Sequence, residues 1–175
     1  MSHNTKKVMI AMKKAKTSMS KVMKMIEDDN KIVLTFTQRD SYGWMDLEIC
    51  VGSFNKMIPI SDVFPPFVPM IRCMENILLD KLPTEFEIDE EGKIDKFSFN
   101  EGRHPEEIRF ILSDVLPPYT IFLDDYFNKF QLVKEFYSKL KDFINRGYNR
   151  DLWIRLGEEQ DLNLLDFSKI EKLIQ

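Results

Sequence analysis

The sequence predicts a single α+β domain in which an antiparallel sheet of about five strands is packed by helices, with a basic amphipathic helix at its N-terminus. Three observations lead to this prediction. The 175 residues fit one domain of ordinary size. Turn-like segments separate neighbouring β-rich runs, which favours antiparallel pairing. Stretches with a helical period stand before, between and after those runs. We therefore divide the chain into a basic helix over 1–26 and one domain over 27–175.

The first segment, residues 1–26, is strongly basic and has a helical period. It contains seven lysines and no acidic residue. Apolar side chains recur at spacings of 4 and 3, which places them on one helical stripe. They are Val8, Met12, Ala15, Met19, Val22 and Ile26. This stripe can pack on the acidic remainder of the chain, bind a partner or a membrane surface, or belong to a frayed leader.

The first strands are predicted directly after this segment. Residues Lys31–Thr37 are dense in β-branched and aromatic side chains and predict a strand. A turn follows at 40–43. The next run alternates between an aliphatic and a more polar face, which is typical of a half-buried antiparallel strand. Its aliphatic face holds Met45, Leu47, Ile49 and Val51, and its other face holds Trp44, Asp46, Glu48 and Cys50. Residues Phe54–Pro59 are expected to extend the sheet weakly.

A helix is predicted in the middle of the chain. Ser61 or Asp62 can cap it, and the apolar positions between Phe67 and Leu78 have a helical spacing. Proline is tolerated in the first turn of a helix, and Pro83 requires that the helix end before it.

The second half of the chain begins with a predicted hairpin. Residues Glu85–Asp89 and Ile94–Asn100 are short aromatic-bearing runs, and the turn between them contains Gly92. A third strand is predicted at Ile108–Leu112. From about Asp124 the apolar period becomes helical, and this helix ends near Gly147. A last amphipathic stretch follows, and Trp153 is expected in the core.

Several kinds of site are not predicted. Cys50 and Cys73 have no CxxC spacing, so we interpret both as packing residues in a reducing cytosol and expect neither disulfides nor zinc. His104 is interpreted as a solvated loop residue, and phosphate-binding glycine motifs are absent. No cofactor is predicted. No run resembles a secretory signal or reaches the roughly 20 residues that span a bilayer, so a soluble cytoplasmic protein starting near Met1 is expected.

The charge distribution predicts a basic protein partner. Residues 27–175 hold 18 basic side chains (25 less the seven lysines) against all 29 acidic ones, a net charge of −11. Such a field attracts a basic protein and repels nucleic acid. We predict that the partner is contacted by Trp44, Asp46, Glu48, Glu90, Glu91, Asp124 and Asp125. Trp44 is either covered by a helix or exposed as an interface anchor.

Four segments resemble the layout of small bacterial immunity proteins of contact-dependent inhibition and polymorphic toxin systems. They are the run Trp44–Ile49, the Phe64-Pro65-Pro66-Phe67 segment, the Glu91-Gly92 turn and the stretch Phe136–Phe143. The resemblance covers residues 30–150 by architecture. It implies a non-enzymatic protein that binds and blocks a toxin domain, and it assigns no role to any individual residue.

Two other classes of function stay open from the sequence. One is a hydrolase or transferase with a carboxylate site around Asp114, Asp124 and Asp125. The other is a structural subunit that oligomerises through the methionine-rich helix. Converging carboxylates in a pocket would favour the enzyme, and a flat acidic face would favour the inhibitor.

Overall fold

The computed structural model describes residues 31–153 and 161–175. Backbone contacts divide the chain into two units after Lys31, and the elements of secondary structure belong to the unit from Ile32 onward. Its described residues form two antiparallel sheets, four helices and a 3₁₀ turn. The elements are β1 (Ile32–Gln38), β2 (Trp44–Val51), β3 (Phe54–Ser61), α1 (Phe67–Leu78), β4 (Thr84–Asp89), β5 (Ile94–Glu101), β6 (Glu107–Asp114), β7 (Ile121–Asn128), α2 (Lys129–Asn145), α3 (Arg150–Trp153), the 3₁₀ turn (Leu162–Leu164) and α4 (Ser168–Leu173).

The first sheet contains β1, β2 and β3 in that order. Along β2, buried and half-exposed side chains alternate at every position, because successive residues of a strand point to opposite faces. Met45, Leu47 and Ile49 are fully buried. Leu47 lies between Phe36 of β1 and Ile58 of β3, which are buried as well. The predicted alternation of β2 is confirmed, and the predicted weak extension of the sheet is β3.

The second sheet contains β4 to β7, and its buried face is aromatic. Phe86 stacks on Phe97 across β4 and β5 with ring centroids 4.4 Å apart. Phe99 stacks on Phe110 across β5 and β6 at 4.9 Å. The ring of Phe136 from α2 stands edge-on to this row. Such cross-strand aromatic pairs fix the strand register and fill the core.

The helices connect the two sheets. α2 packs on β1 and β7, and α1 packs on β4 and α2. The side chain of Asn128 caps α2 by accepting hydrogen bonds from the backbone N–H groups of Phe130 and Gln131. Trp153 is fully buried, edge-on to Phe67, which confirms its predicted place in the core. Among the described helices, none has the length and apolar character needed to cross a bilayer.

The expected single sheet of about five strands is wrong, because the described residues form seven strands in two sheets. The helix predicted from Asp124 begins only at Lys129, and 121–128 form β7, which pairs with β6. Phe127, Phe130 and Val133 continue a helical spacing. A short apolar run, however, fits both the helical period and the two-residue period of a strand. Residues 121–128 form a strand because they pair with β6 and because the helix begins only after its cap, Asn128.

The predicted cap of the middle helix is wrong as well. Ser61 belongs to β3, and α1 begins at Phe67 after Pro66, without a side-chain cap. The residue before a proline is pushed towards extended geometry, which delays the helix. Its end before Pro83 is confirmed. The basic helix predicted over 1–26 lies outside the described residues.

Candidate functional site

The candidate site is the open face of the first sheet, the side opposite its buried aliphatic residues. Its positions are half-buried or exposed, and Met57 is 56% exposed; Ser61, at the end of β3 opposite Trp44, is the exception and is buried. An antiparallel sheet can pack one face on the core and leave the other in water. The difference between the two faces of this sheet follows from the alternation of aliphatic and more polar residues along β2. The open face consists of Val33, Thr35 and Thr37 on β1, Trp44, Asp46, Glu48 and Cys50 on β2, and Asn55, Met57 and Pro59 on β3.

Trp44 and Asp46 share a contact with Arg39 at one end of the open face. The guanidinium of Arg39 donates to both carboxylate oxygens of Asp46, at 2.9 and 2.5 Å. Its central carbon lies 5.7 Å from the centroid of the Trp44 ring. The hydrogen bond to Asp46 is the main cause of a raised pKa at Arg39. Trp44 is therefore half-buried against a cation, and the charge of Asp46 is compensated by Arg39.

Glu48 occupies the centre of the open face, between Thr35 of β1 and Met57 of β3. Its carboxylate accepts one hydrogen bond, at 2.8 Å, from the side-chain amide of Asn55 on β3. That amide also lies 3.3 Å from the sulfur of Cys50. Within the described residues no cation is within salt-bridge distance of Glu48.

Glu90 and Glu91 reach the same end of the sheet from the turn between β4 and β5. The hydroxyl of Ser61 lies 2.5 Å from a carboxylate oxygen of Glu91, and Ser61 stands opposite Trp44 in the register of β2 and β3. Glu90 is the neighbour of Glu91 in this turn, and its backbone N–H donates to the C=O of Lys93 at 2.7 Å. Five of the seven predicted partner contacts thus lie on or beside the open face.

An ionic cluster that the sequence analysis missed fixes this turn against β3. Asp95 is fully buried, and one of its carboxylate oxygens lies 3.0 Å from the Nζ of Lys56 and 3.1 Å from the Nζ of Lys93. Glu90 accepts a hydrogen bond from Lys93 at 2.8 Å. The Nζ of Lys56 lies 4.0 Å from the centroid of the Phe122 ring. The cluster therefore ties the turn that carries Glu90 and Glu91 to β3 from the buried side of the first sheet, because Lys56 stands opposite the buried Ile49.

Burial and hydrogen bonding have opposite effects within the ionic cluster. Desolvation lowers the pKa of Lys56 and raises the pKa of Glu90, because it disfavours the charged form of each. Desolvation also lowers the pKa of Lys93, but the hydrogen bonds that Lys93 donates to the carboxylates of Glu90 and Asp95 outweigh it, and this pKa is raised. Removing one partner of such a buried network leaves the others uncompensated, which is strongly destabilising.

Asp124 and Asp125 do not join the open face. Both lie on β7 in the second sheet, where Asp124 stands opposite Ile111 and Asp125 opposite the buried Phe110. As neighbours in one strand they point to opposite faces. The guanidinium of Arg109 donates to both carboxylate oxygens of Asp124, at 2.7 and 2.6 Å, and this pairing lowers the pKa of Asp124.

The carboxylates considered for an enzyme are also dispersed. Asp114 lies at the end of β6, and its carboxylate accepts a hydrogen bond from the backbone N–H of Leu116. Asp114 stands opposite Asp95 of β5, whereas Asp124 stands opposite Ile111, three residues earlier on β6, and Asp125 points to the other face of β7. Burial raises the pKa of the Cys73 thiol to about 12, which suits a packing residue. Across 31–153 and 161–175, no group of three or more histidine, cysteine and acidic side chains could hold a metal ion.

Comparison of the chain with known protein families, curated proteins and solved structures gave no match. The resemblance to immunity proteins therefore stays a prediction, and the geometry of the described residues is what supports a function.

Proposed function

We propose that this protein is a non-enzymatic protein-binding module and that its open face covers a basic surface of the partner. One observation carries the proposal. Three residues on β2 and two on the β4–β5 turn, separated in sequence, lie at or beside one face of the first sheet, on which no other element of the described residues packs. They are Trp44, Asp46, Glu48, Glu90 and Glu91.

The composition of this surface is that of a protein interface. Tryptophan and arginine are enriched among the residues that dominate binding energy, and Trp44 stacked on Arg39 is such a pair. The exposed side chains of Val33 and Met57 add apolar area on the neighbouring strands. A partly apolar centre with charged groups around it is the usual anatomy of an interface.

The charge of this surface favours a basic partner. Four carboxylates stand against two cations, which leaves a net charge of −2. The carboxylates are those of Asp46, Glu48, Glu90 and Glu91, and the cations are Arg39 and Lys93. Complementary charge accelerates association and suppresses wrong partners. The resemblance to immunity proteins specifies this proposal further, because it implies a cognate toxin domain, such as a nuclease, neutralised in the cytoplasm.

The test produces the protein encoded by the neighbouring gene, which the proposal expects to contain a toxin domain, together with the full chain in the same cells. The wild-type chain should protect the cells and bind the purified domain. Glu48→Lys reverses the charge at the centre of the open face, which forms no ion pair with the described residues, and should weaken both binding and protection. Changes at charged interface positions that face an opposite charge alter the association rate and its salt dependence.

Glu87→Lys is the matched control. Glu87 is an exposed glutamate on β4 of the second sheet, and its substitution changes the net charge by the same amount as Glu48→Lys. It should bind and protect like the wild type. If the two variants lose the same affinity, the open face is not the interface. If the wild-type chain neither binds nor protects, the immunity function is wrong.

A further inference from the structure

An exposed apolar patch lies where β2 begins and β3 ends. It consists of Tyr42, in the turn before β2, and of Val63 and Phe64, in the segment that follows β3, and we call it the end patch. Their side chains are 65%, 39% and 51% exposed. Single exposed apolar side chains are normal on a protein surface, whereas a contiguous group of them marks an interaction site.

A backbone hydrogen bond joins the two segments that carry the end patch. The N–H of Asp62 donates to the C=O of Gly43 at 2.8 Å. The segments with Tyr42 and Val63 therefore continue side by side beyond the last register pair of β2 and β3. Because Trp44 belongs to that last pair, the end patch adjoins the Trp44 end of the open face.

Both segments are held in place by further contacts. Gly43 has a φ of +76°, and its N–H donates to the C=O of Leu152 at 2.6 Å. A Cβ at Gly43 would lie 2.5 Å from the Oδ1 of Asp62, so a larger residue does not fit this turn. Side chains on a backbone that is already ordered lose less conformational entropy when a partner binds.

Two carboxylates stand beside the end patch. Asp40 is exposed in the same turn as Tyr42. The hydroxyl of Ser61 accepts a hydrogen bond from the N–H of Val63 at 3.1 Å and lies 2.5 Å from a carboxylate oxygen of Glu91, which places Glu91 next to Val63. Among the described residues, no cation lies within salt-bridge distance of either carboxylate.

We propose that the end patch is the apolar centre of the partner interface and that it receives an apolar side chain flanked by lysine or arginine. This inference rests on the proposed function and adds the chemistry of the bound segment. The apolar side chain packs on the aromatic rings of the end patch, and the flanking cations meet Asp40 and Glu91. The cation of the turn, Arg39, is already paired with Asp46 and does not oppose them. Residues that dominate binding energy cluster in such apolar centres, inside a polar rim.

The first test measures binding of the full chain to the protein encoded by the neighbouring gene. Phe64→Ala should raise the dissociation rate constant roughly thirtyfold, as expected for a residue that dominates binding energy. Tyr42→Ala should act in the same direction. The association rate constant should change little in both variants, because no charge is altered.

Phe130→Ala is the matched control, because Phe130 is also a phenylalanine of similar exposure, 45%, but lies on α2 and not in the end patch. Its dissociation rate constant should stay within about twofold of the wild type, as for most surface substitutions. Urea unfolding of each variant should give a midpoint close to that of the wild type, which separates loss of binding from loss of the fold.

The second test concerns the charge of the bound segment. Asp40→Lys should lower the association rate constant at low salt, because it places a cation where the partner carries cations. Glu87→Lys is again the control with the same change in net charge. Association of Asp40→Lys at the rate of this control would overturn the proposed basic flank.

Three results separate this inference from the proposed function. If Glu48→Lys weakens binding but Phe64→Ala dissociates like Phe130→Ala, the inference is wrong and the proposed function stands. If the wild-type chain does not bind, both are wrong. If the free chain self-associates in sedimentation experiments and Phe64→Ala makes it monomeric, the end patch is a contact between copies of this chain, which also overturns the inference.

Discussion

Phe136→Ala should remove the main contact by which α2 holds the second sheet. The side chain of Phe136 is 1% exposed, and its ring lies edge-on to Phe86, Phe97 and Phe99 with centroids 6.3, 6.4 and 6.4 Å away. Truncation of a buried phenylalanine to alanine costs about 3–5 kcal/mol. Each aromatic pair contributes roughly 0.5–1.5 kcal/mol beyond its buried area. Loss of three pairs places the expected decrease in the free energy of unfolding at about 4–5 kcal/mol.

Phe130→Ala is the matched control on the same helix, because Phe130 is 45% exposed. Its expected cost is about 1 kcal/mol or less, as for other surface substitutions with a weak cation contact. Urea unfolding of both full-length variants, followed by circular dichroism and tryptophan fluorescence, measures the difference from the transition midpoints. Equal losses of stability would contradict the assigned packing of α2 on the phenylalanine row.

Three further predictions concern the sheet register, pH and salt. Leu47→Asp places a charge in the core and should destabilise the fold severely, whereas Glu48→Ala should be mild; equal denaturation midpoints would disprove the register of β2. The hydrogen bond from Arg103 lowers the pKa of Glu107 to about 2. The stabilisation this gives is present above the ordinary pKa of 4.5 and is lost as the pH falls towards 2. The stability advantage of the wild type over Glu107→Gln should therefore shrink over this range in thermal melts, and a constant difference would exclude the ion pair. Association with a basic partner should slow as the salt concentration rises, because the Debye length falls from about 10 Å at 0.1 M to about 3 Å at 1 M. An association rate constant that does not depend on salt would contradict electrostatic steering.

The strongest local patterns in the sequence predicted their elements correctly. The alternation along β2 identified which side chains are buried, because the two-residue period is a property of any strand. The helical spacing between Phe67 and Leu78 and the break before Pro83 identified α1. The predictions failed where a short segment fits two periods. Residues 121–128 became β7 only because the edge of β6 was available for pairing.

The candidate site was predictable residue by residue but not as an arrangement. Trp44, Asp46 and Glu48 follow from one strand, and the sequence alone places them on one face. That Glu90 and Glu91 lie beside this face, while Asp124 and Asp125 do not, depends on contacts between segments far apart in the chain.

The sequence by itself determined the charge distribution, the polarity of the first sheet and the residues that fill the core, because these follow from composition and short periods. Only the tertiary structure decided that the strands divide into two sheets joined by α2. It also decided that Lys56 meets Asp95 and that the turn before β2 lies beside the segment after β3. Such contacts depend on how separate segments pack, and no local pattern specifies which pairs of surfaces fit together.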